Sequence, residues 1–464
     1  MTGFSSNVGS YRPVLSALIV MTVASSAAAS SHNPTHNLWS RDATTTSKAK
    51  SSNSAGAGAG AGSLQTGNFP PIVQSMAPST MTALPATFTP GSASPVPGAP
   101  ALPSTILNIA SYPPLDLIPS VNSPEVKEWL SQIDMTKIPS SAPTGLNGCS
   151  NTSNAAAVKS AGAGGNCWWT CGGCSRDTDI TVCPNKATWG ASFDDGPSPD
   201  TPILLDYLAK HNLTTTFFVV GSRVLSRPAM LQYEYEAGNQ ISVHTWSHPA
   251  LTTLTNEQIV AELGWSKKVI KDTIGVTPNT MRPPYGDIDD RVRYIAMAMG
   301  LTPIIWTTSP AGKTFDTQDW KISTGIVTPA QVLKNFQDII ASASSLTSGF
   351  IVLAHDLYPQ SVALAVEYVL PQALAAGNLT VEPIITCLGQ PLSEGYAETA
   401  TTNVSTGPFS TNSSTASPKV FRNGTDASGF SGNVNKPSSS SILSVKPLMY
   451  GLSTSLMILF ITLL

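Results

Sequence analysis

Short runs of β-branched and aromatic residues recur through the middle of this chain. Each is followed by a stretch in which apolar residues return every three or four positions. The first pattern fits strands buried on both faces, the second amphipathic helices. Strands are predicted over residues 188–193, 214–220, 240–244, 280–282, 303–308, 350–354 and 380–386. Helices are predicted between them over 202–210, 229–237, 256–274, 289–299, 329–342 and 361–375. The third helix is the clearest. Thr255 and Gln258 form a capping box, Ile259, Leu263, Ile270 and Ile274 line one face, and Gly275 stops it. Seven strands alternating with six helices predict parallel pairing with helices outside. The expected fold is α/β, a distorted (β/α) barrel of about seven parallel strands, with its chemistry where strands end and loops begin.

The two ends break this pattern. Residues 1–29 read as a secretory signal, with Arg12, an apolar run from Val14 to Val23 and the small residues Ala27, Ala28 and Ala29. Residues 30–148 begin as a Ser/Ala/Gly/Pro-rich linker reaching about Pro100, which has too little apolar content to offset ordering entropy. They continue as an N-terminal extension in which 124–130 form a short helix packed on the main domain. That domain is expected over 149–395, with one more low-complexity link at 154–165. Residues 396–433 read as a Ser/Thr-rich glycosylated stalk. Residues 434–464 combine a polar spacer with an apolar tail from Leu448 to Leu464, the order of a glycolipid (GPI) attachment signal, with attachment near Ser431.

Composition argues against folded protein along the whole length. Charged residues make up only 11% of the chain, against about 25% in a typical soluble domain. The net charge of −3 and the lack of a basic run exclude a nucleic-acid partner. Six N-x-S/T sequons fall at Asn151, Asn212, Asn378, Asn403, Asn412 and Asn423. The six cysteines, Cys149, Cys167, Cys171, Cys174, Cys183 and Cys387, are therefore disulfide candidates. Cys167, Cys171, Cys174 and Cys183 also resemble a zinc cluster, but four thiolates in an oxidising compartment are more often bridges. Cys387 is placed to bridge back to that cluster; pairing is left open.

Candidate chemistry gathers at predicted strand ends. The first strand runs into Asp194-Asp195-Gly196-Pro197, two carboxylates that an extended chain points in different directions, followed by a forced turn. The third runs into His244-Thr245-Trp246-Ser247-His248, where two imidazoles four residues apart can face one point from a single helical turn. A surface His pair and an Asp-rich helix cap are the bland alternatives. Only six histidines exist, however, and three of them end predicted strands. Asp195, His244 and His248 make an open site for one divalent metal, Zn²⁺ or Co²⁺, which would acidify water and polarise a carbonyl.

These residues fall within five segments in order. They are Ser192-Phe193-Asp194-Asp195-Gly196-Pro197, His244 to His248, Arg282-Pro283-Pro284-Tyr285-Gly286, Asp316-Thr317-Gln318-Asp319-Trp320 and Leu353-Ala354-His355. The sequence thereby resembles the polysaccharide deacetylase family (the NodB homology domain), and within it the fungal chitin deacetylases. Ser192 stands where Thr is usual. The resemblance implies that Asp194 is the general base toward the attacking water and that Arg282 orients it and keeps it ionised. It implies Asp195, His244 and His248 as metal ligands, and the Tyr285 backbone N–H as an oxyanion donor. His355 would protonate the leaving amine with Asp319 orienting its ring, and Trp320 would pack against His355 and shape the acetyl pocket. Asp194, Tyr285 and Trp320 thus form the substrate and acetate contacts. Trp246 and Tyr285 are candidate sugar-facing aromatics, with core packing the safer reading for Trp246.

The expected function is metal-dependent removal of N-acetyl groups from cell-wall chitin, giving chitosan and acetate, by an enzyme held at the plasma membrane and cell wall. The expected partners are chitin and, through the GPI anchor, a membrane; no obligate protein partner is evident. The alternatives are an esterase acting on O-acetyl xylan or another glycan, and a non-catalytic structural wall mannoprotein.

Overall fold

A computed structural model of the chain describes residue 84 and residues 89–104 and 107–401. The described residues all belong to one compact unit. The expected signal segment, most of the linker, the stalk beyond residue 401, the anchor segment and the sequons at Asn403, Asn412 and Asn423 lie outside the described residues.

Among the described residues, eight short strands, all paired in parallel, form two sheets. They are β1 (Thr188–Gly190), β2 (Ser192–Asp194), β3 (Thr216–Val219), β4 (Gln240–Val243), β5 (Thr280–Met281), β6 (Thr302–Pro303), β7 (Phe350–Ile351) and β8 (Thr380–Glu382). One sheet runs β7-β1-β8 and the other β2-β3-β4-β5-β6. The single strand expected over 188–193 is therefore two. The chain changes sheets at Ala191, whose N–H donates to Glu382 O while its own carbonyl accepts from Thr216 N. The chain after β6 comes back to β7 through Thr307 N to Ile351 O, which brings the two sheets around one core.

The helices are α1 (Pro124–Ser131), α2 (Ala155–Lys159), α3 (Trp169–Gly172), α4 (Thr201–Lys210), α5 (Gly221–Ser226), α6 (Pro228–Glu236), α7 (Asn256–Ile274), α8 (Asp290–Ala298), α9 (Pro329–Ala343), α10 (Pro359–Leu364), α11 (Leu370–Ala375) and α12 (Ile384–Cys387). The capping box of α7 forms as expected, with Thr255 Oγ1 accepting from Gln258 N and Gln258 Oε1 from Thr255 N. Gly275 ends that helix at φ 84, in the left-handed region where glycine carries no Cβ penalty. The helix expected over 361–375 is interrupted by a π turn at Ala365–Val369 between α10 and α11.

Three expectations change. The last strand stops at Glu382 because Pro383 caps α12, so residues 384–386 are helical. Residues 154–165 are folded: Asn154 is buried, and its amide joins Gly145 and Gly148 by hydrogen bonds. The last part of the expected linker lies on the domain, with Val96 and Leu102 buried and Ser94 Oγ 2.7 Å from Tyr235 Oη.

The cysteines form three disulfides, Cys149–Cys171, Cys167–Cys174 and Cys183–Cys387, and none is free. Cys183–Cys387 ties the approach to β1 to α12 across 204 residues. No helix among the described residues is long and apolar enough to cross a membrane.

Candidate metal centre and its acid–base flanks

Asp194 ends β2, and Asp195, His244 and Arg282 directly follow β2, β4 and β5. His248, Tyr285, Asp319, Trp320 and His355 lie on the chain beyond the strand ends. Asp195 follows β2 in the left-handed region, so Asp194 reaches Arg282 and Asp195 reaches His248, with His244 between them. Asp194 Oδ1 accepts from Arg282 Nη1 at 2.6 Å, and Asp194 Oδ2 lies 4.0 Å from His244 Nε2. Asp195 Oδ1 lies 3.4 Å from His244 Nε2 and 3.0 Å from His248 Nε2. The ligand atoms of these three residues lie within 4.8 Å of one another.

The donors fit a cation better than they fit each other. Asp195 Oδ1 is buried and has no hydrogen bond of acceptable geometry, despite the two nearby nitrogens. His244 Nδ1 lies 2.7 Å from Arg282 O. A carbonyl can only accept, so the proton sits on Nδ1 and Nε2 presents a lone pair. His248 Nδ1 lies 3.2 Å from Tyr285 Oη, which can accept in the same way. Burial pushes the His248 imidazole down to about 4, against the pull of Asp195, so it is neutral and able to ligate at neutral pH. Burial raises the Asp195 pKa on its own, but His248, His244 and His355 together hold it well below the usual carboxylate range.

On one flank, Arg282 is fully buried. Its Nη1 also donates to Ser192 Oγ at 2.9 Å, and Ser192 Oγ donates to Val352 O. The serine in place of threonine thus keeps the hydroxyl that the arginine uses. Nε and Nη2 of Arg282 have no hydrogen-bond partner, but the guanidinium lies over the Phe218 ring at 4.0 Å. On the other flank, His355 Nδ1 is 2.7 Å from Asp319 Oδ1, and its backbone N–H donates to Asp319 Oδ2. Burial alone would lower the His355 pKa. The Asp319 carboxylate overrides it by charge and hydrogen bond, Asp195 and Asp194 add to the effect, and the pKa rises to about 10. The ring is an imidazolium at neutral pH.

The aromatic candidates divide. Tyr285 is half-buried beside His248, with ring centroids 4.7 Å apart. Trp320 is half-buried, has Lys321 Nζ 4.8 Å from its ring, and donates its backbone N–H to Asp319 Oδ1. Trp246 is fully buried against Tyr112 and Trp265, so it packs in the core and the sugar-facing alternative does not hold for it.

Residues 244–248 are not a helical turn. Thr245 and His248 adopt left-handed φ values of 66° and 62°, so a strained loop brings the imidazoles together. Asp195 and Tyr285 are also left-handed, at 79° and 60°. Non-glycine residues in this region cost about 1–3 kcal/mol each and persist where surroundings over-determine them.

Two supporting residues escape sequence reasoning. Glu262 on α7 accepts from Trp246 N, Ser247 N and Ser247 Oγ, and burial raises its pKa to about 7 against those bonds. A carboxylate on the apolar stripe between Ile259 and Leu263 is the signal that could have flagged it. Arg223 on α5 donates to Asp195 O, and nothing in the sequence marks it.

A family model described as Polysaccharide deacetylase matches residues 181–304. Chitin deacetylase 1 of Cryptococcus neoformans var. grubii is 58% identical over 337 residues, 72% of this chain and 70% of that protein. Chitin deacetylase 2 of the same organism is 38% identical over 307 residues, 62% of this chain and 64% of that protein. Among solved structures, the chitin deacetylase of Colletotrichum lindemuthianum covers 48% of this chain and 97% of its own, with 24% identity and a TM-score of 0.43.

Proposed function

This chain belongs to the polysaccharide deacetylase family, and from that premise we propose that it hydrolyses N-acetyl groups of N-acetylglucosamine residues in chitin, giving chitosan and acetate. One observation carries the mechanism: three converging ligand atoms with an orphaned Asp195 Oδ1 lie between an arginine-held carboxylate and a carboxylate-held imidazolium.

Asp195, His244 and His248 would hold one divalent cation, Zn²⁺ or Co²⁺, since imidazole and carboxylate donors suit both. When bound, that cation supplies acidified water and a polarised acetyl carbonyl. Asp194 takes the proton of the attacking water through Oδ2, because Arg282 occupies Oδ1 and fixes the carboxylate plane. The Tyr285 backbone N–H stabilises the oxyanion that develops as the carbonyl carbon becomes tetrahedral. His355, charged and oriented by Asp319, then protonates the amine nitrogen as the C–N bond breaks. Acetate leaves with the water oxygen, and the sugar keeps a free amine. Trp320 lines the acetyl pocket.

The sequence supports an exported enzyme with a GPI anchor at the plasma membrane and cell wall, acting on the polymer outside the cell. Asn212 and Asn378 are exposed and open to glycosylation, whereas the Asn151 side chain is engaged by Leu146 O, Ser153 N and Ser153 Oγ.

Acetate release from N-acetylglucosamine oligomers by the purified protein, with and without added zinc, tests this function. Metal-dependent release is expected. Release from acetylated xylan but not from the oligomers would make the protein an O-acetyl esterase. Release from neither, with metal bound, would leave the wall-protein alternative.

A further inference from the structure

The strained 244–248 loop needs support from two sides. The inner side is Glu262, whose carboxylate takes the N–H groups of Trp246 and Ser247. The outer side comes from residues that precede the 181–304 stretch entirely. Trp246 stands between the two metal-ligand candidates, and its indole N–H donates to Pro114 O at 3.0 Å. Its ring lies parallel to Tyr112, centroids 6.2 Å apart and planes 2° apart. Tyr112 also meets the face or edge of Trp265 at 5.9 Å, and Trp265 meets Trp129 of α1 at 5.5 Å. The result is a continuous aromatic stack: Trp129, Trp265, Tyr112, Trp246.

Polar contacts pin the segment that carries Tyr112 and Pro114 on both sides of Pro114. Tyr112 Oη donates to Asp272 Oδ2, and Lys268 Nζ sits 5.5 Å from the Tyr112 ring. Asp116 Oδ1 accepts from Ser222 Oγ, next to Arg223, whose guanidinium holds Asp195 O. At Gly264 a Cβ would lie 2.1 Å from the Trp129 ring, so only glycine lets α1 seat on α7.

We propose that residues 112–129 are a strap that holds the 244–248 loop in its ligand-bearing conformation, with Tyr112, Pro114 and Trp129 as positioning residues for the metal site. The inference rests on the metal-site assignment above. Removing the strap uncovers Trp246 and frees Thr245 and His248 to leave the left-handed region, which separates the His248 and Asp195 donors.

The test compares Tyr112→Ala, Trp129→Ala and Gly264→Ala in the full chain. Phe336→Leu, between α9 and β1, serves as a control that loosens the core elsewhere. Zinc dissociation constants are read by competition with a chelating dye, beside kcat and KM on short N-acetylglucosamine oligomers and thermal midpoints without metal. Support lost from behind a metal ligand weakens affinity by about 10–100-fold. The three strap variants are expected to fall in that range, with lower kcat and little change in KM. The control should bind zinc like the unaltered protein at a similar midpoint, and Tyr112→Phe, which keeps the ring, should too. If Tyr112→Ala does not fold, Trp129→Ala and Gly264→Ala decide, since both act at the far end of the stack. Strap variants that bind zinc as tightly as the control overturn the proposal. An unaltered protein that binds no zinc or cobalt overturns the metal-site assignment instead.

Discussion

Replacing Asp319 by Asn should make the enzyme fail progressively as pH rises. Burial alone would lower the His355 pKa, and this carboxylate is the largest of the influences that overcome it, with Asp195 and Asp194 adding to it. The group's pKa is about 10 in the folded protein and ordinarily 6.5. A raised pKa means that the competent, protonated form is present at low pH and lost as pH climbs through the folded value. At pH 8 roughly 99% of His355 is protonated with Asp319 in place, and roughly 3% at the ordinary value. At pH 6 the two figures are roughly 100% and 75%, so the ratio of unaltered to variant rate should grow about twentyfold between pH 6 and pH 8. A bound cation lowers both pKa values and slides this window down without changing its sign. Asn also meets the His355 N–H or the Trp320 N–H less well than a carboxylate, which adds a loss independent of pH. The assay is kcat/KM against pH on N-acetylglucosamine oligomers, with retained zinc as the check on folding. A variant that is slower by one constant factor from pH 6 to pH 8 would refute the assignment of His355 as a charged acid held by Asp319.

Three further outcomes follow from the same contacts. His244→Ala should abolish zinc retention and acetate release together while preserving the far-ultraviolet circular dichroism spectrum; an active, metal-free variant would rule out the ligand set. Cys387→Ser should lower unfolding free energy by about 2–5 kcal/mol, because the lost bridge spans 204 residues and Cys183 and Cys387 are buried. A denaturant midpoint unchanged under oxidising conditions would contradict it. Gly286→Ala places a Cβ 2.3 Å from the Trp169 ring at φ 65, so it should destabilise by about 1–3 kcal/mol and lower kcat through neighbouring Tyr285; a silent substitution would show that this turn yields freely.

What the sequence shows and what it hides divide by range. The α7 helix is legible because its signals are local, a capping box at one end, a stop glycine at the other and a stripe between. The break at Ala191 is not, since the change of sheet depends on Glu382 and Thr216, both far along the chain. Helix α5 also goes unpredicted; its six residues are too few to show a period. At the site, ligand types and spacing are readable, but their geometry is not. A four-residue His spacing suggests a helical turn, and only the partners of Trp246 and Ser247 show why a strained loop takes its place. Those partners, Glu262 and Pro114, lie on separate segments with no pattern linking them to the histidines.

The distribution of buried charge explains why two adjacent carboxylates can coexist here. Asp194 is matched by Arg282 and His355 by Asp319, each through a direct hydrogen bond. Neighbouring Asp356 is only partly ionised at neutral pH. Burial, with Asp195 adding to it, raises its pKa to about 7 against the Thr201 hydrogen bond, a backbone hydrogen bond and the charge of Arg223. Arg223 is half-buried and spends its Nη1 on the backbone of Asp195, not on the carboxylate. That leaves Asp195 ionised beside two imidazoles, one of them held neutral by burial and the other turned by Arg282 O to present its lone pair. A buried carboxylate carries a large desolvation cost, which His248, His244 and His355 offset at Asp195. Three donors whose lone pairs converge there place that cost where a divalent cation relieves it, so metal binding and stability are coupled at one atom, Asp195 Oδ1. On this argument Asp195→Asn removes both the affinity for zinc and the stability that the depressed Asp195 pKa contributes at neutral pH. The metal-free variant should melt below the metal-free unaltered protein and should also lose the stabilisation that added zinc gives the latter. Equal stabilisation of both by zinc would break the argument.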